Sequence, residues 1–183
     1  MKFKASTVRS VIDSPLGAIM LAASDDGLQG AWFVHGQRHM PDASAWPVSR
    51  EHPLLQQAGQ ELLRYFCGEA VAFDLPLDLD SGSDFQRRVW RAMLQIPRGS
   101  TCSYRALGER IGSPRAVRAV GGAVGRNPLS IFVPCHRVIG GDGSLTGYAG
   151  GLDRKVALLQ LEGALTSRTP TSPARAEPSP PLS

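Results

Sequence analysis

Apolar residues follow two regimes along the chain. In the first, short apolar runs at 8–12, 18–23 and 28–34 are separated by the turn signals Ser14-Pro15 and Asp25-Asp26-Gly27. Runs of that length between turn residues predict a small antiparallel meander. Residues 37–46 are polar and irregular and read as a surface loop. Over 53–66 the positions Leu54, Leu55, Ala58, Leu62, Leu63 and Phe66 recur at helical spacing, and Gly68 stops the helix. Residues 71–80 alternate loosely and read as an extended connector.

Beyond the connector the period is helical. Ser83-Asp84-Phe85 is an N-cap signal with an acid in the first turn. The stripe Val89, Trp90, Met93 and Leu94 follows, and Ile96-Pro97-Arg98-Gly99 ends that helix. A second helix is predicted over 103–111. After Gly112-Ser113 comes a third, with Ser113 as its cap and Pro114 at its first position, and it runs to Val124. Two helices about a short glycine turn predict a helix-turn-helix. On the third helix Val117, Val120 and Val124 share the core side, and Arg115, Arg118, Ala119 and Gly122 face away. Each interior glycine costs about 1 kcal/mol, so an outer face of small residues points to a close approach. Either another helix packs there or a nucleic-acid groove does. The apolar run 129–133 reads as a short buried strand that Pro134 terminates. Residues 142–152 form a glycine-rich loop around Tyr148, without the G-x-x-x-x-G-K-[ST] of a phosphate loop. A last helix is predicted over 153–162. From 166 onward Pro, Ser, Thr, Ala and Arg dominate, and that tail is expected to be disordered.

The expected fold is α+β. A small N-terminal antiparallel sheet with one helix (1–80) precedes a mainly helical domain containing the helix-turn-helix (81–165), and a tail (166–183) follows.

Charge sharpens the division. The net charge is +4, but residues 1–80 carry 6 Lys and Arg against 10 Asp and Glu, and residues 81–165 carry 12 against 5. Eleven of those twelve cations are arginine, whose fork matches phosphate oxygens, so the second domain is expected to meet a polyanion. No apolar run is long enough to span a bilayer, and the basic N-terminus lacks the apolar core of a signal peptide. Three cysteines, Cys67, Cys102 and Cys135, fit no disulfide framework, which points to the cytoplasm. No C-x-x-C is present, and His35 and His39 sit in a loop context rather than on a helix face. No metal site is expected.

The chemistry converges on Pro134-Cys135-His136-Arg137. A thiol and an imidazole held where a buried strand stops suit a nucleophile and its base, although an arbitrary cysteine is more often a structural core residue. The run Ile131-Phe132-Val133-Pro134-Cys135-His136-Arg137-Val138-Ile139 resembles the active-site signature of the O6-alkylguanine-DNA alkyltransferases, the methylated-DNA–protein-cysteine methyltransferases. The resemblance extends upstream to residues 115–123 and Asn127-Pro128. Downstream it takes in Gly147-Tyr148-Ala149-Gly150-Gly151-Leu152 and residues 158–163, and Ser14-Pro15-Leu16-Gly17 fits more weakly.

The resemblance implies that Cys135 accepts the alkyl group from O6 of guanine in duplex DNA, and less strongly from O4 of thymine. His136 would act as its base through a water, oriented by Glu162. Tyr104 would protonate the departing guanine and touch the neighbouring phosphate. Arg118 would fill the gap left by the flipped base, with Ala119 and Gly122 on a helix laid in the minor groove and Arg115 and Ser103 as further DNA contacts. Asn127 would be the hinge between that helix and the cysteine, and Tyr148, Ala149 and Val138 would line the substrate pocket. It implies no cofactor, a monomer, and one reaction per molecule, since a thioether does not hydrolyse. The chain departs from some relatives in having no cysteine before Cys67 for an N-terminal zinc site. It is too short for the extra N-terminal domain of the larger bacterial members, and Ala149 stands where some carry serine. Two other classes compete. A damage sensor without chemistry would lack the cysteine, which is present, and a cysteine hydrolase would leave the arginine-rich helix without a purpose.

Overall fold

The computed structural model describes residues 1–165, so the predicted tail lies outside the described residues. Three strands, β1 (Val8–Ile12), β2 (Ile19–Ser24) and β3 (Gly27–Phe33), form an antiparallel sheet in the order β1-β2-β3. Helix α1 (Pro53–Phe66) packs on one face of it. The helical half contains α2 (Asp84–Met93), α3 (Tyr104–Arg110), α4 (Val117–Gly125) and α5 (Leu152–Leu161), plus a two-residue parallel pair, β4 (Cys102–Ser103) with β5 (Val138–Ile139). The α+β class follows the sequence reading.

Every residue of β2 and β3 is buried, because both faces of the sheet are covered. One face joins the main core. Leu21, Ala31 and Phe33 there form one buried cluster with Leu62 of α1 and with Trp90, Val120 and Leu158 of the helical half. The other face is covered by segment 37–46, read from sequence as a mere surface loop. Met40, Ala43 and Trp46 fold back on Met20, Ala22 and Trp32, and Phe3 stacks edge-on with Trp32 and Trp46. Polar composition hid this, because three apolar side chains spaced along a loop leave no period to read. Gly30 is required beneath it, since a β-carbon there would lie 1.8 Å from the Trp32 ring.

The free edge of β3 is closed by two irregular segments rather than by a strand. Leu28 donates to the carbonyl of Pro76 at 2.8 Å and accepts from Asp78 at 2.9 Å. Ala31 donates to Pro128 at 2.8 Å and accepts from Ser130 at 3.0 Å. An edge satisfied in this way cannot template aggregation, and it seats the chain leading to Cys135 directly on the sheet. The acidic turn is fixed from below by buried Asp78, which accepts from Ser24 and Gln29 at 2.9 Å and pairs with Lys4 at 2.8 Å.

In the helical half, Ser83 caps α2 through a full capping box. Its hydroxyl accepts from Gln86 N at 3.3 Å, and Gln86 Oε1 accepts from Ser83 N at 2.9 Å. Trp90 of α2 donates its indole N–H to Ala123 O at 2.8 Å, fixing α4 across the core. Three expectations are corrected. Helix α4 starts at Val117 with Ala116 as its N-cap, not at Pro114, because Ser113–Ala116 forms a hydrogen-bonded turn (Ala116 N to Ser113 O, 3.0 Å) that uses up the predicted first turn. Val117 is consequently rotated out of the core and 39% exposed, and Val120, Ala123 and Val124 make the buried stripe. The predicted strand at 129–133 is a tight turn.

Candidate active site

The turn exists because Asn127 rewrites the local hydrogen bonding. Its Nδ2 donates to the carbonyls of Leu129 (3.3 Å) and Val133 (2.9 Å) and to Cys135 Sγ (3.0 Å), and its Oδ1 accepts from Leu129 N (3.0 Å). A side chain that takes the place of ladder partners turns an apolar, β-branched run into a loop. Val133 N closes the loop on Leu129 O at 2.9 Å, and Ile131 is forced to φ 75°. A β-branched residue there costs on the order of 1–2 kcal/mol, held by the surrounding contacts. Pro134 then makes an inverse γ-turn (φ −79°, ψ 64°), with Cys135 N on Val133 O at 2.8 Å. Proline's fixed φ suits that geometry. Cys135–Arg137 form one 3-10 turn, which aims the thiol at Asn127 and sends His136 and Arg137 towards the end of α5.

There Glu162, in the C-cap position of α5, gathers donors. His136 Nε2 lies 2.9 Å from Oε1. Arg137 Nε donates to Oε2 and Nη2 to Oε1, both at 2.8 Å, and Tyr65 OH donates to Oε1 at 2.8 Å. Arg137 is further anchored by Nη1 on Ile96 O at 2.6 Å. Burial pushes the Glu162 carboxyl up, but the hydrogen bonds and charges of His136 and Arg137 outweigh it and hold the group well below the usual carboxylate range. For His136 burial dominates. It lowers the imidazole pKa, and Arg137 already supplies the positive charge facing Glu162. The pair is therefore a neutral imidazole on an ionised carboxylate. Because Nε2 faces Glu162, the network assigns the proton to Nε2 and leaves Nδ1 as the base. Nδ1 is buried without a hydrogen-bond partner among the described residues.

The thiol itself is 4% exposed, and burial raises its pKa against the lowering by the Asn127 amide and Lys155. It is thus a thiol at neutral pH, and reaction requires a base to remove its proton. Lys155 is fully buried, with Nζ on Val138 O (2.5 Å) and Thr146 O (3.2 Å). Burial pulls its pKa down to about 8, against the opposing charge of Cys135. Tyr104, at the start of α3, directs its hydroxyl at Thr146 O (3.0 Å) and Gly147 O (3.3 Å), and burial followed by the Cys135 charge keeps the phenol protonated. Tyr148 is 4% exposed, and its hydroxyl has no partner among the described residues. Ala149 is tied to the N-terminal half, with its carbonyl accepting from Arg38 N at 2.9 Å.

Tyr104, Gly122, Gly147, Ala149 and Arg126 line one cavity of about 300 Å³ between α4 and the glycine-rich loop. Gly122 and Ala119 are exposed, and a β-carbon on Gly122 would meet nothing within 4 Å. Among the described residues no helix packs against this face. Arg115, Arg118 and Arg126 stand exposed around it, without a carboxylate partner among the described residues. Arg115 sits in the turn before α4 rather than on the helix. Ser103 is the N-cap of α3, accepting from Ala106 N at 3.1 Å, and Val138 lies on β5 with its carbonyl on Lys155. Among the described residues no cluster of three or more His, Cys, Asp or Glu could hold a metal, and no helix is long and apolar enough to cross a membrane.

Sequence reading missed Tyr65, Arg137 and Lys155 as parts of this centre. For Lys155 a signal existed, since it precedes Leu158 and Leu159 by three and four positions on the buried side of α5. Truncating Asn127 to alanine removes all of its side-chain hydrogen bonds at once and leaves the Leu129 N–H and the Cys135 sulfur without a partner, since the Leu129 and Val133 carbonyls keep Val133 N and Cys135 N. It is expected to lower stability by about 2–3 kcal/mol, a fall in Tm of several degrees in thermal melting, whereas a surface asparagine would move it hardly at all.

Residues 84–164 match the DNA-binding domain, and residues 7–79 the ribonuclease-like domain, of 6-O-methylguanine DNA methyltransferase. The methylated-DNA–protein-cysteine methyltransferase of Mycolicibacterium paratuberculosis is 51% identical over 152 residues, 82% of this chain and 89% of its own. That of Methanosarcina barkeri is 45% identical over 152 residues, 83% and 94%. A crystal structure of Mycobacterium tuberculosis OGT in complex with DNA superposes with a TM-score of 0.78 at 47% identity, covering 84% of this chain and 92% of that one. These likenesses define the class as a methyl-transferring enzyme. More narrowly, the chain belongs to the 6-O-methylguanine DNA methyltransferase family.

Proposed function

We propose that the protein repairs alkylated DNA by direct reversal, moving the alkyl group of O6-alkylguanine, and secondarily of O4-alkylthymine, irreversibly onto Cys135. The observation that carries this reading is a buried, proton-bearing thiol with a neutral His136–Glu162 pair behind it and an exposed Arg, Ala and Gly helix face in front. Helix α4 enters the minor groove, where Ala119 and Gly122 let its backbone come close. Arg118 takes the place of the extruded nucleotide, Arg115, Ser103 and Asn127 support the contact, and Tyr148, Ala149 and Val138 wall the base.

In the transfer the thiol proton passes through a water to His136 Nδ1, and the imidazolium is stabilised by Glu162. Sulfur attacks the alkyl carbon, the C–O6 bond breaks, and its electron pair stays with the base. Tyr104 supplies the proton that restores neutral guanine, re-aiming a hydroxyl that the free protein spends on Thr146 and Gly147. The product is a thioether, so each molecule acts once. The protein works as a monomer in the cytoplasm and without a cofactor.

The test is stoichiometry. Duplex DNA with labelled O6-methylguanine should deliver at most one label per protein, and continued turnover or DNA binding with no transfer would defeat the reading. Arg118→Ala separates binding from chemistry. Its rate on duplex DNA is expected to fall about tenfold or more, with dealkylation of free O6-benzylguanine nearly unchanged. Equal losses on both substrates would remove the finger role.

A further inference from the structure

The N-terminal half has a direct line to the reaction centre. Tyr65, on the last turn of α1, lies 97 residues from Glu162 in sequence, yet its hydroxyl meets Glu162 Oε1 at 2.8 Å in the buried interior. We propose that Tyr65 is a positioning residue for alkyl transfer, through which the N-terminal half sets the orientation and basicity of the Glu162–His136 pair. The proposal rests on the assignment of Cys135, His136 and Glu162 as the transfer machinery.

Three observations support it. First, Tyr65 is 1% exposed, and a buried phenol needs a partner for its hydroxyl. The partner here is the carboxylate behind the histidine rather than a nearby carbonyl.

Second, the contact is held from both ends. The Arg98 guanidinium stacks over the Tyr65 ring at 5.4 Å. It also donates to Gly68 O (3.1 Å) and Glu69 O just past α1, and to Leu161 O (3.2 Å), the residue before Glu162. One side chain therefore ties the end of α1 to the end of α5. On its other side the Tyr65 ring packs on Phe73 at 5.6 Å, and Phe73 on Phe132 of the cysteine turn at 4.8 Å. The ring thus touches the acid directly and the nucleophile's loop through one intermediary.

Third, the arrangement has an electrostatic consequence. Glu162 Oε1 is shared by His136, Arg137 and Tyr65, and each additional donor weakens the pull of that oxygen on the imidazole N–H. The groups facing His136 are Glu162 and Lys155 from α5, Arg137 and Cys135 from its own turn, and, through Glu162, Tyr65 from α1. Arg98 and Arg137 are the cations beside Tyr65. Removing only the phenol oxygen leaves Glu162 more basic and less constrained. His136 then holds a proton to higher pH, and the carboxylate orients it less well.

The measurement is the single-turnover rate constant for methyl transfer from duplex DNA between pH 5 and 9, for the full chain and for Tyr65→Phe. Phenylalanine keeps the ring stack with Arg98 and Phe73. The expected result is an acid limb displaced towards neutral pH by about half a unit or more. The plateau should be lowered about threefold to tenfold, by the same factor on free O6-benzylguanine. A double-mutant comparison guards against a mere folding defect. In a Glu162→Gln background Tyr65→Phe should cost little further rate, since the two act through one contact. Superimposable profiles, a lower plateau with an unmoved acid limb, or equal losses in both backgrounds would overturn the inference. Failure of the unmutated chain to take the label on Cys135 would instead overturn the functional assignment beneath it.

Discussion

Cys135→Ala is expected to abolish alkyl uptake outright while leaving a folded protein that still binds duplex DNA. No other sulfur can replace it. Cys67 is exposed just past α1, and Cys102 is buried on β4, its S–H turned to the carbonyl of Ser103 at 3.5 Å. Losing the sulfur removes one of three acceptors from Asn127 Nδ2, but the Leu129 and Val133 carbonyls remain. The turn should survive at a cost of about 1–2 kcal/mol. The DNA-facing side of α4 is untouched. Label transfer from O6-methylguanine duplexes, run beside a gel-shift titration, separates the two properties. Uptake of label by the alanine variant at the wild-type level would mean that another atom is the acceptor.

Glu162→Gln is expected to be the most damaging change among the residues that never touch substrate. The amide keeps the shape but removes the charge that two Arg137 hydrogen bonds, one His136 bond and one Tyr65 bond converge on. A guanidinium whose side chain is 12% exposed is left without its counter-ion, which costs on the order of 3–5 kcal/mol. The imidazole loses the charge that stabilises its protonated form, and the transfer rate constant should fall by about 10²–10⁴. Thermal melting and single-turnover kinetics read the two effects separately. The pH dependence of stability gives an independent check. The Glu162 carboxyl sits below its ordinary value of 4.5 in the folded protein. The stability it contributes is therefore complete above that value and is lost as the pH falls towards the folded pKa. In Glu162→Gln that part of the acid limb should flatten.

What could be read from the chain depended on the range of the interactions. The meander, the Ser83 cap and the helical stripe of α2 are local, and their signals are printed in neighbouring residues. The turn carrying Cys135 has the apolar pattern of a strand, but one side chain, Asn127, outbids the intrinsic preference of Leu129, Ile131 and Val133 for a ladder. Helix α4 begins later than Pro114 suggests, since the Ser113–Ala116 turn competes for the same backbone groups, and the delay rotates Val117 to the surface. Segment 37–46 covers the sheet through widely spaced Met40, Ala43 and Trp46, which no periodicity test would link. At the site, Cys135, His136 and Glu162 are legible through the family resemblance, whereas Arg137 lies in the same motif with no local sign of its ion pair. Nothing within reach of α1 in sequence indicates that Tyr65 ends on Glu162. Only the closure of the two halves around one core brings them together.

The central claim is that Cys135 is a consumable acceptor for alkyl groups from DNA. It is tested most directly by intact mass spectrometry after exposure to excess O6-methylguanine duplex, followed by peptide mapping. The predicted result is a gain of one methyl group per protein, located wholly on the peptide containing Cys135, with no further gain on longer incubation. An unchanged mass after the DNA has been bound, or a methyl group on any other residue, would contradict it.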